Sequence, residues 1–198
     1  MKKLIALAAV LATVAFPSFA FADSIRLDTP SYGGTGCPDG SASVSLSDDQ
    51  KSLSILFDNF VAEAGGSTNK AMDRKVCNVA IPVHVPNGIS VSILAIDYRG
   101  FYDVPKNGKA TFGVEYFFAG VRGPSFTKNF SGPASSDYTV TNKLGVNALV
   151  WSACGADVIL RTNPSIRVQT SQNKEATATV DSEDVNASIV YKLQFQKC

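Results

Sequence analysis

From Val185 to Cys198 the chain reads VNASIVYKLQFQKC, with apolar and polar side chains trading places at nearly every step. Val185, Ala187, Ile189, Tyr191, Leu193 and Phe195 fall on alternate positions, Asn186, Ser188, Lys192, Gln194 and Gln196 lie between them, and Val190 breaks the rule. A period of two predicts a strand with one face in a core and one in water. The strand runs to Cys198, which suggests a disulfide clamp holding the end of the chain to its body. Val79, Ile81, Val83 and Val85 repeat the alternation, and Ile89, Val91 and Ile93 resume it after Pro86-Asn87-Gly88. That arrangement predicts a hairpin in which Gly88 takes positive φ. Pro82 lacks an amide donor, so its strand is expected at an edge or a bulge. From Ile93 to Ile96 both faces are apolar, which places the second strand deep in the core.

Shorter runs fill the rest of the chain. Ser43–Leu46 and Leu53–Phe57 read as strands around the polar turn Ser47-Asp48-Asp49-Gln50. Phe60–Ala64 suits a strand or one helical turn, and Gly65–Lys70 a flexible loop. Val104 and Ala110–Phe118 flank Pro105-Lys106-Asn107-Gly108 as a second expected hairpin. Ala119–Asp137 reads as a long Gly-, Pro- and Ser-rich loop, a kind that is often functional or mobile. Ala148–Ser152, Asp157–Arg161, Ile166–Thr170 and Ala176–Val180 are expected strands separated by turns at Cys154-Gly155, Asn163-Pro164 and Gln172-Asn173. About ten short strands with Gly/Pro turns and no amphipathic helix predict an all-β fold. The expected form is an antiparallel β-sandwich, with a jelly-roll-like order open.

Met1–Ala22 has Lys2 and Lys3 before an apolar run from Leu4 to Phe16, then Ala20-Phe21-Ala22. This is the pattern of a cleaved signal peptide, and the run is too short for a spanning helix. Residues 23–198 are then expected to form one secreted or periplasmic domain, a monomer with no membrane span. Removing Lys2 and Lys3 leaves 16 basic and 17 acidic side chains of the original 18 and 17. A near-neutral, interspersed charge argues against general nucleic-acid binding. Cys37, Cys77, Cys154 and Cys198 form an even set in an exported chain and are read as two disulfides. Three pairings are open; Cys37–Cys77 with Cys154–Cys198 is favoured because sequential pairs suit neighbouring strands. A membrane β-barrel would also alternate, but four cysteines, short strands and the polar ending Lys197-Cys198 argue against it.

Several pieces together resemble a known family. They are the export signal, Gly33-Gly34-Thr35-Gly36-Cys37-Pro38, Cys77 before a strand, and Asp97-Tyr98-Arg99-Gly100-Phe101. Trp151-Ser152-Ala153-Cys154-Gly155 and the ending Tyr191-x-Leu193…Cys198 complete the set. The chain resembles a family of small secreted proteins of uncharacterised function found in bacteria and fungi. The resemblance covers nearly the whole mature chain and implies a four-cysteine β domain. It brings no catalytic residues.

Candidate chemistry is sparse. His84 is the single histidine, no Gly-x-Ser-x-Gly elbow occurs, and a solvent-facing strand histidine is the expectation. One histidine excludes multi-histidine zinc or copper sites, and no cofactor is implied. Gly33–Pro38 lacks the Lys-Ser/Thr pair of a phosphate loop and reads as a tight turn. Asp181-Ser182-Glu183-Asp184 could offer oxygens to calcium but lacks EF-hand spacing, and reads as a solvated turn. Trp151 is expected to pack on a disulfide. Asp97, Asp103 and Glu115 lie near aromatics and are the candidates for a carboxylate-based glycan hydrolase. Tyr98, Phe101, Tyr102, Tyr116, Phe117 and Phe118 form an aromatic group of which part must be core, while Tyr98–Tyr102 holds too many large rings in succession for all of them to lie inside. The expected function is a non-catalytic binding or structural module of the envelope or extracellular space. Tyr98, Arg99, Phe101 and Tyr102, placed at a sheet end, are its candidate recognition patch for a glycan.

Overall fold

The computed structural model describes residues 24–118, 123–145, 149–171, 173–180 and 188–198. The expected signal peptide, the acidic turn at 181–184 and residues 185–187 of the last predicted strand lie outside them. Fourteen strands occur among the described residues. They are β1 Arg26–Leu27, β2 Ser31–Gly33, β3 Ala42–Leu46, β4 Ser52–Phe57, β5 Val61–Ala64, β6 Met72–Val76, β7 Asn78–His84 and β8 Ile89–Val104. Then follow β9 Lys109–Phe118, β10 Ser125–Ser131, β11 Ala134–Lys143, β12 Val158–Gln169, β13 Ala176–Thr179 and β14 Ile189–Lys197. Two seven-stranded sheets result. The first contains β1, β2, β6, β7, β9, β10 and β12, and the second β3, β4, β5, β8, β11, β13 and β14. Their described pairings are antiparallel, so the fold is the expected disulfide-bonded antiparallel sandwich.

The two expected hairpins are corrected. β7 and β9 lie in the first sheet and β8 in the second. The turns at 85–88 and 105–108 therefore carry the chain across the core. Four residues reach roughly 13 Å, enough to cross the ~10 Å between packed sheets. Gly88 does take positive φ, 78°. The expected loop at Ala119–Asp137 is also corrected. It contains β10, which pairs with β9, and the start of β11, which pairs with β8. Both are mostly polar strands that border their sheets, which hid them from a search for apolar alternation.

One long strand organises each sheet. β9 lies along one flank of β12 from Leu160 to Gln169. On its other flank, β7 pairs with 158–162 and β6 with 165–169. Asn163-Pro164, expected as a turn, sits at that junction within a continuous strand. The Pro164 carbonyl accepts the Cys77 N–H at 3.0 Å, so its missing amide faces the gap where no ladder bond is needed. Pro82 uses the same device. It lies between the β1 pairing at 83–84 and the β2 pairing at 78–80, and its carbonyl accepts the Asp28 N–H at 3.1 Å. The expectation of an edge or a bulge is corrected: β7 is an interior strand, with β12 along one flank and β1 and β2 along the other, and Pro82 is tolerated because it falls in the gap between the last two.

β8 carries a phase change. Val91 and Ile93 point inward, as do Ile96 and Tyr98. The pairing with β14 shifts between Lys192 and Leu193, opposite Ala95 and Ile93, which leaves Leu94 as the bulged residue. Leu94 is 46% exposed. The run Ile93–Ile96 is thus a bulge that swaps faces, and not a segment buried on both sides.

The core is aromatic: Tyr98, Tyr116, Tyr191, Phe57, Phe60 and Phe112 are fully buried. Its hydroxyls join the sheets. Tyr191 of β14 donates to Thr162 of β12, and the Asn142 amide of β11 donates to Tyr116 of β9 at 3.2 Å. Cys37–Cys77 and Cys154–Cys198 are both bonded, with Cα separations of 5.4 and 6.0 Å. The second gathers both flanks of β8 at its start. Cys198 N–H donates to Gly88 O at 3.0 Å and Gly155 N–H to Ile89 O at 2.9 Å. Trp151, expected against a disulfide, bridges to Ser92 of β8.

Candidate functional site

β8 is held on both flanks, by β14 and β13 on one side and β11 on the other. Beyond the bulge its odd-numbered residues face outward, so Asp97, Arg99, Phe101 and Asp103 form one row on the outer surface of the second sheet. Cross-strand neighbours set what surrounds them. Arg99 lies opposite Thr139, Phe101 opposite Asp137, and Asp103 opposite Ser135 and Thr177. The Phe101 N–H donates to Thr179 Oγ1 at 3.0 Å and the Arg99 N–H to Ser188 O at 2.9 Å. Ser52 and Ser54 on β4 continue the same outward face, as Thr139 and Thr141 do on β11. The platform is therefore rich in hydroxyls, with Arg99 and Phe101 partly exposed at its middle. The alternating Ser/Thr positions were readable from the sequence, but their convergence on Arg99 and Phe101 depends on pairing between distant strands.

The sequence-based patch does not survive whole. Tyr98 is 0% exposed and belongs to the core. Its ring stacks on Phe126 at 5.5 Å and leans on Phe112 at 4.9 Å, so no ligand reaches it in the folded state. Burial pushes its phenol above the usual tyrosine range. Tyr102 points to the inner side and stacks on Phe130 at 4.4 Å, while keeping part of its ring exposed. The patch also does not sit at a sheet end between hairpins; it lies along the central strand. Gly100 faces inward, and a Cβ there would meet the Thr179 carbonyl at 2.3 Å and the Tyr138 hydroxyl at 2.6 Å. Its role is to let the Tyr138 hydroxyl reach Thr179 O, a 2.8 Å hydrogen bond.

The three candidate carboxylates are kept apart. Asp97 and Asp103 are six residues apart on one strand, about 20 Å at the rise of a strand. Glu115 is on the outward face of β9 in the other sheet, with the core between. Paired glycosidase carboxyls stand roughly 5–9.5 Å apart. Asp97 is moreover occupied: Thr141 Oγ1 donates to it at 2.6 Å and Lys192 Nζ stands 2.8 Å away. Burial pushes its carboxyl up, but the hydrogen bonds from Lys192 and Thr141 and the charges of Lys192 and Arg99 outweigh this and hold it below the usual aspartate value of 3.8. A depressed folded pKa adds stability above pH 3.8 that is lost as pH falls through the folded value. Asp97→Asn should therefore lower the urea midpoint at pH 7, with the gap to wild type closing towards pH 3. A constant gap across that range would contradict the assignment.

His84 is half-buried, not simply solvent-facing. Its Nδ1 lies 2.7 Å from Asp157 Oδ1, and the Val85 N–H also donates to that oxygen at 3.4 Å. The pair ties the end of β7 to the approach to β12.

The chain from residue 23 to 198 matches a family model described as a domain of unknown function, DUF4360. The chain belongs to this family. A relative from Arthroderma benhamiae, an uncharacterized secreted protein, is 33% identical over 178 residues, covering 89% of this chain and 73% of the relative. The member described here is accordingly a secreted or periplasmic protein. Among solved structures, TmCBM61 in complex with β-1,4-galactotriose is similar over 85% of this chain and 88% of that one, at 9% identity and a TM-score of 0.23. A score that low carries no inference about the ligand.

Proposed function

We propose that this family member is a secreted, non-catalytic glycan-binding module whose recognition face is the outer surface of the second sheet. The observation that carries this reading is the pairing of Arg99 and Phe101, two residues apart on a strand braced from both sides, within a field of serine and threonine hydroxyls. A ring offers an apolar face to a sugar, a guanidinium forks to hydroxyls or carboxylates, and a rigid support keeps the cost of ordering low. The separation of Asp97, Asp103 and Glu115 disfavours the competing hydrolase. A glycan array probed with wild type and an Arg99→Ala, Phe101→Ala double variant tests the proposal, with folding checked by circular dichroism. Binding by wild type that the folded variant loses supports it. Wild type that binds nothing, or a variant that binds equally, rejects it.

A further inference from the structure

The sequence Gly33-Gly34-Thr35-Gly36 contains three glycines, and the fold accounts for two. A Cβ on Gly34 would meet Val76 O at 2.2 Å, and one on Gly36 would meet the Phe60 ring at 2.2 Å. Both are needed so that the loop can lie against β6, β7 and the core beside Cys37. Gly33 is different. Nothing lies within 4 Å of a Cβ built there, and its φ is outside the left-handed region. Neither backbone conformation nor packing requires a glycine. What its small size leaves open is a groove of about 300 Å³ lined by Ser31, Tyr32, Gly33, Asn78, Ala80 and Arg161.

Register explains the groove. Ser31 of β2 pairs with Ala80 of β7, Ala80 with Arg161 of β12, and Arg161 with Phe117 of β9. The four form one outward row across the first sheet, with small residues at one end and a guanidinium beside a half-buried ring at the other. Arg161 is exposed and makes no ion pair among the described residues, although Glu115 stands diagonally across on β9. An unpaired guanidinium presents a planar set of donors that matches a carboxylate. Asn78 offers an amide that both donates and accepts, the match for a vicinal hydroxyl pair.

We infer that this groove is a second site that takes a uronic acid residue of an acidic oligosaccharide, its carboxylate on Arg161 and its hydroxyls towards Asn78 and Ser31. The inference rests on the reading of the protein as a glycan-binding module but uses none of the same residues. Isothermal titration tests it with tetrasaccharides of glucuronate, galacturonate and mannuronate, each beside its carboxyl-reduced neutral counterpart. The expected result is that at least one acidic tetrasaccharide binds, that its neutral counterpart binds at least tenfold more weakly, and that Arg161→Ala reduces acidic binding by roughly tenfold or more. Gly33→Leu is the second variant. It is built on a strand position with open space above it, so it should fold normally and fill the groove, with the same loss. Arg99→Ala, Phe101→Ala should leave this binding in place. If no acidic tetrasaccharide binds, or if folded Gly33→Leu binds as wild type does, the groove is not the site. If acidic binding disappears with Arg99 and Phe101 and not with Arg161, the groove proposal is overturned while the platform reading stands.

Discussion

A Cys154→Ser, Cys198→Ser double variant is expected to lose about 4 kcal/mol of stability, the chain-entropy value for a loop of this size, since the two cysteines are 44 residues apart. The structure adds where the loss should appear. β4 pairs with β14 only from Ile189 to Lys192, the Leu193 N–H still donates to Lys51 O at 2.8 Å, and β8 alone pairs with the remainder. Phe195 is 37% exposed and Gln194–Lys197 add little buried apolar surface. The last turn of the alternating pattern thus outruns the apolar layer, and the disulfide supplies what burial does not. Chemical denaturation measures the total. Amide exchange in the folded variant should show 194–197 opening first, with Ile189 and Tyr191 still protected. Uniform exchange along β14, or a loss below 1 kcal/mol, would contradict the clamp.

Gly100→Ala is the second large effect. The added methyl would stand 2.3 Å from a backbone carbonyl, that of Thr179, and 2.6 Å from the Tyr138 hydroxyl that donates to it. A backbone atom cannot turn aside as a flexible side chain can. β13 must move off β8, and the Tyr138 hydrogen bond must lengthen or break. Overpacking and the lost bond together cost about 3 kcal/mol. Gly33→Ala is the control, since its added methyl meets nothing, and it should stay within about 0.5 kcal/mol of wild type. Equal midpoints for the two glycine variants in urea would show that Gly100 is not packed as described.

The strands themselves were legible because alternation is a local property. β7, β9, β14 and the even-numbered core of β12 can be read directly from apolar spacing. Partner choice was not legible in the same way. Pro86-Asn87-Gly88 has the residues of a hairpin turn, yet the same residues serve an arch between sheets, because the turn fixes backbone angles and not the strand that follows. β10 and β11 were missed since edge strands need little apolar content. Asn163-Pro164 was misread as a turn since a gap between β6 and β7 makes a proline tolerable within β12. In the recognition row, Tyr98 was misplaced because the two expected hairpins put residues 98–102 at a sheet end, whereas they lie within β8, whose even-numbered residues face the core past the bulge at Leu94. Within that strand Arg99 and Phe101 face outward together and Tyr98 faces inward. The disulfide pairing was accessible because sequential cysteines fall on segments that meet, Cys37 beside the β6–β7 junction and Cys154 beside the start of β8.

The central claim is that Arg99 and Phe101 form a glycan-binding platform on the outside of the second sheet. Its most direct test is isothermal titration of the strongest-binding array glycan into wild type, Phe101→Ala and Arg99→Ala, with matched unfolding curves for all three. A ring stacked on a sugar and a charge-assisted hydrogen bond each carry roughly 1–3 kcal/mol. Each variant should therefore bind about tenfold or more weakly than wild type while unfolding at nearly the same urea concentration. Unchanged affinity in both folded variants would contradict the platform.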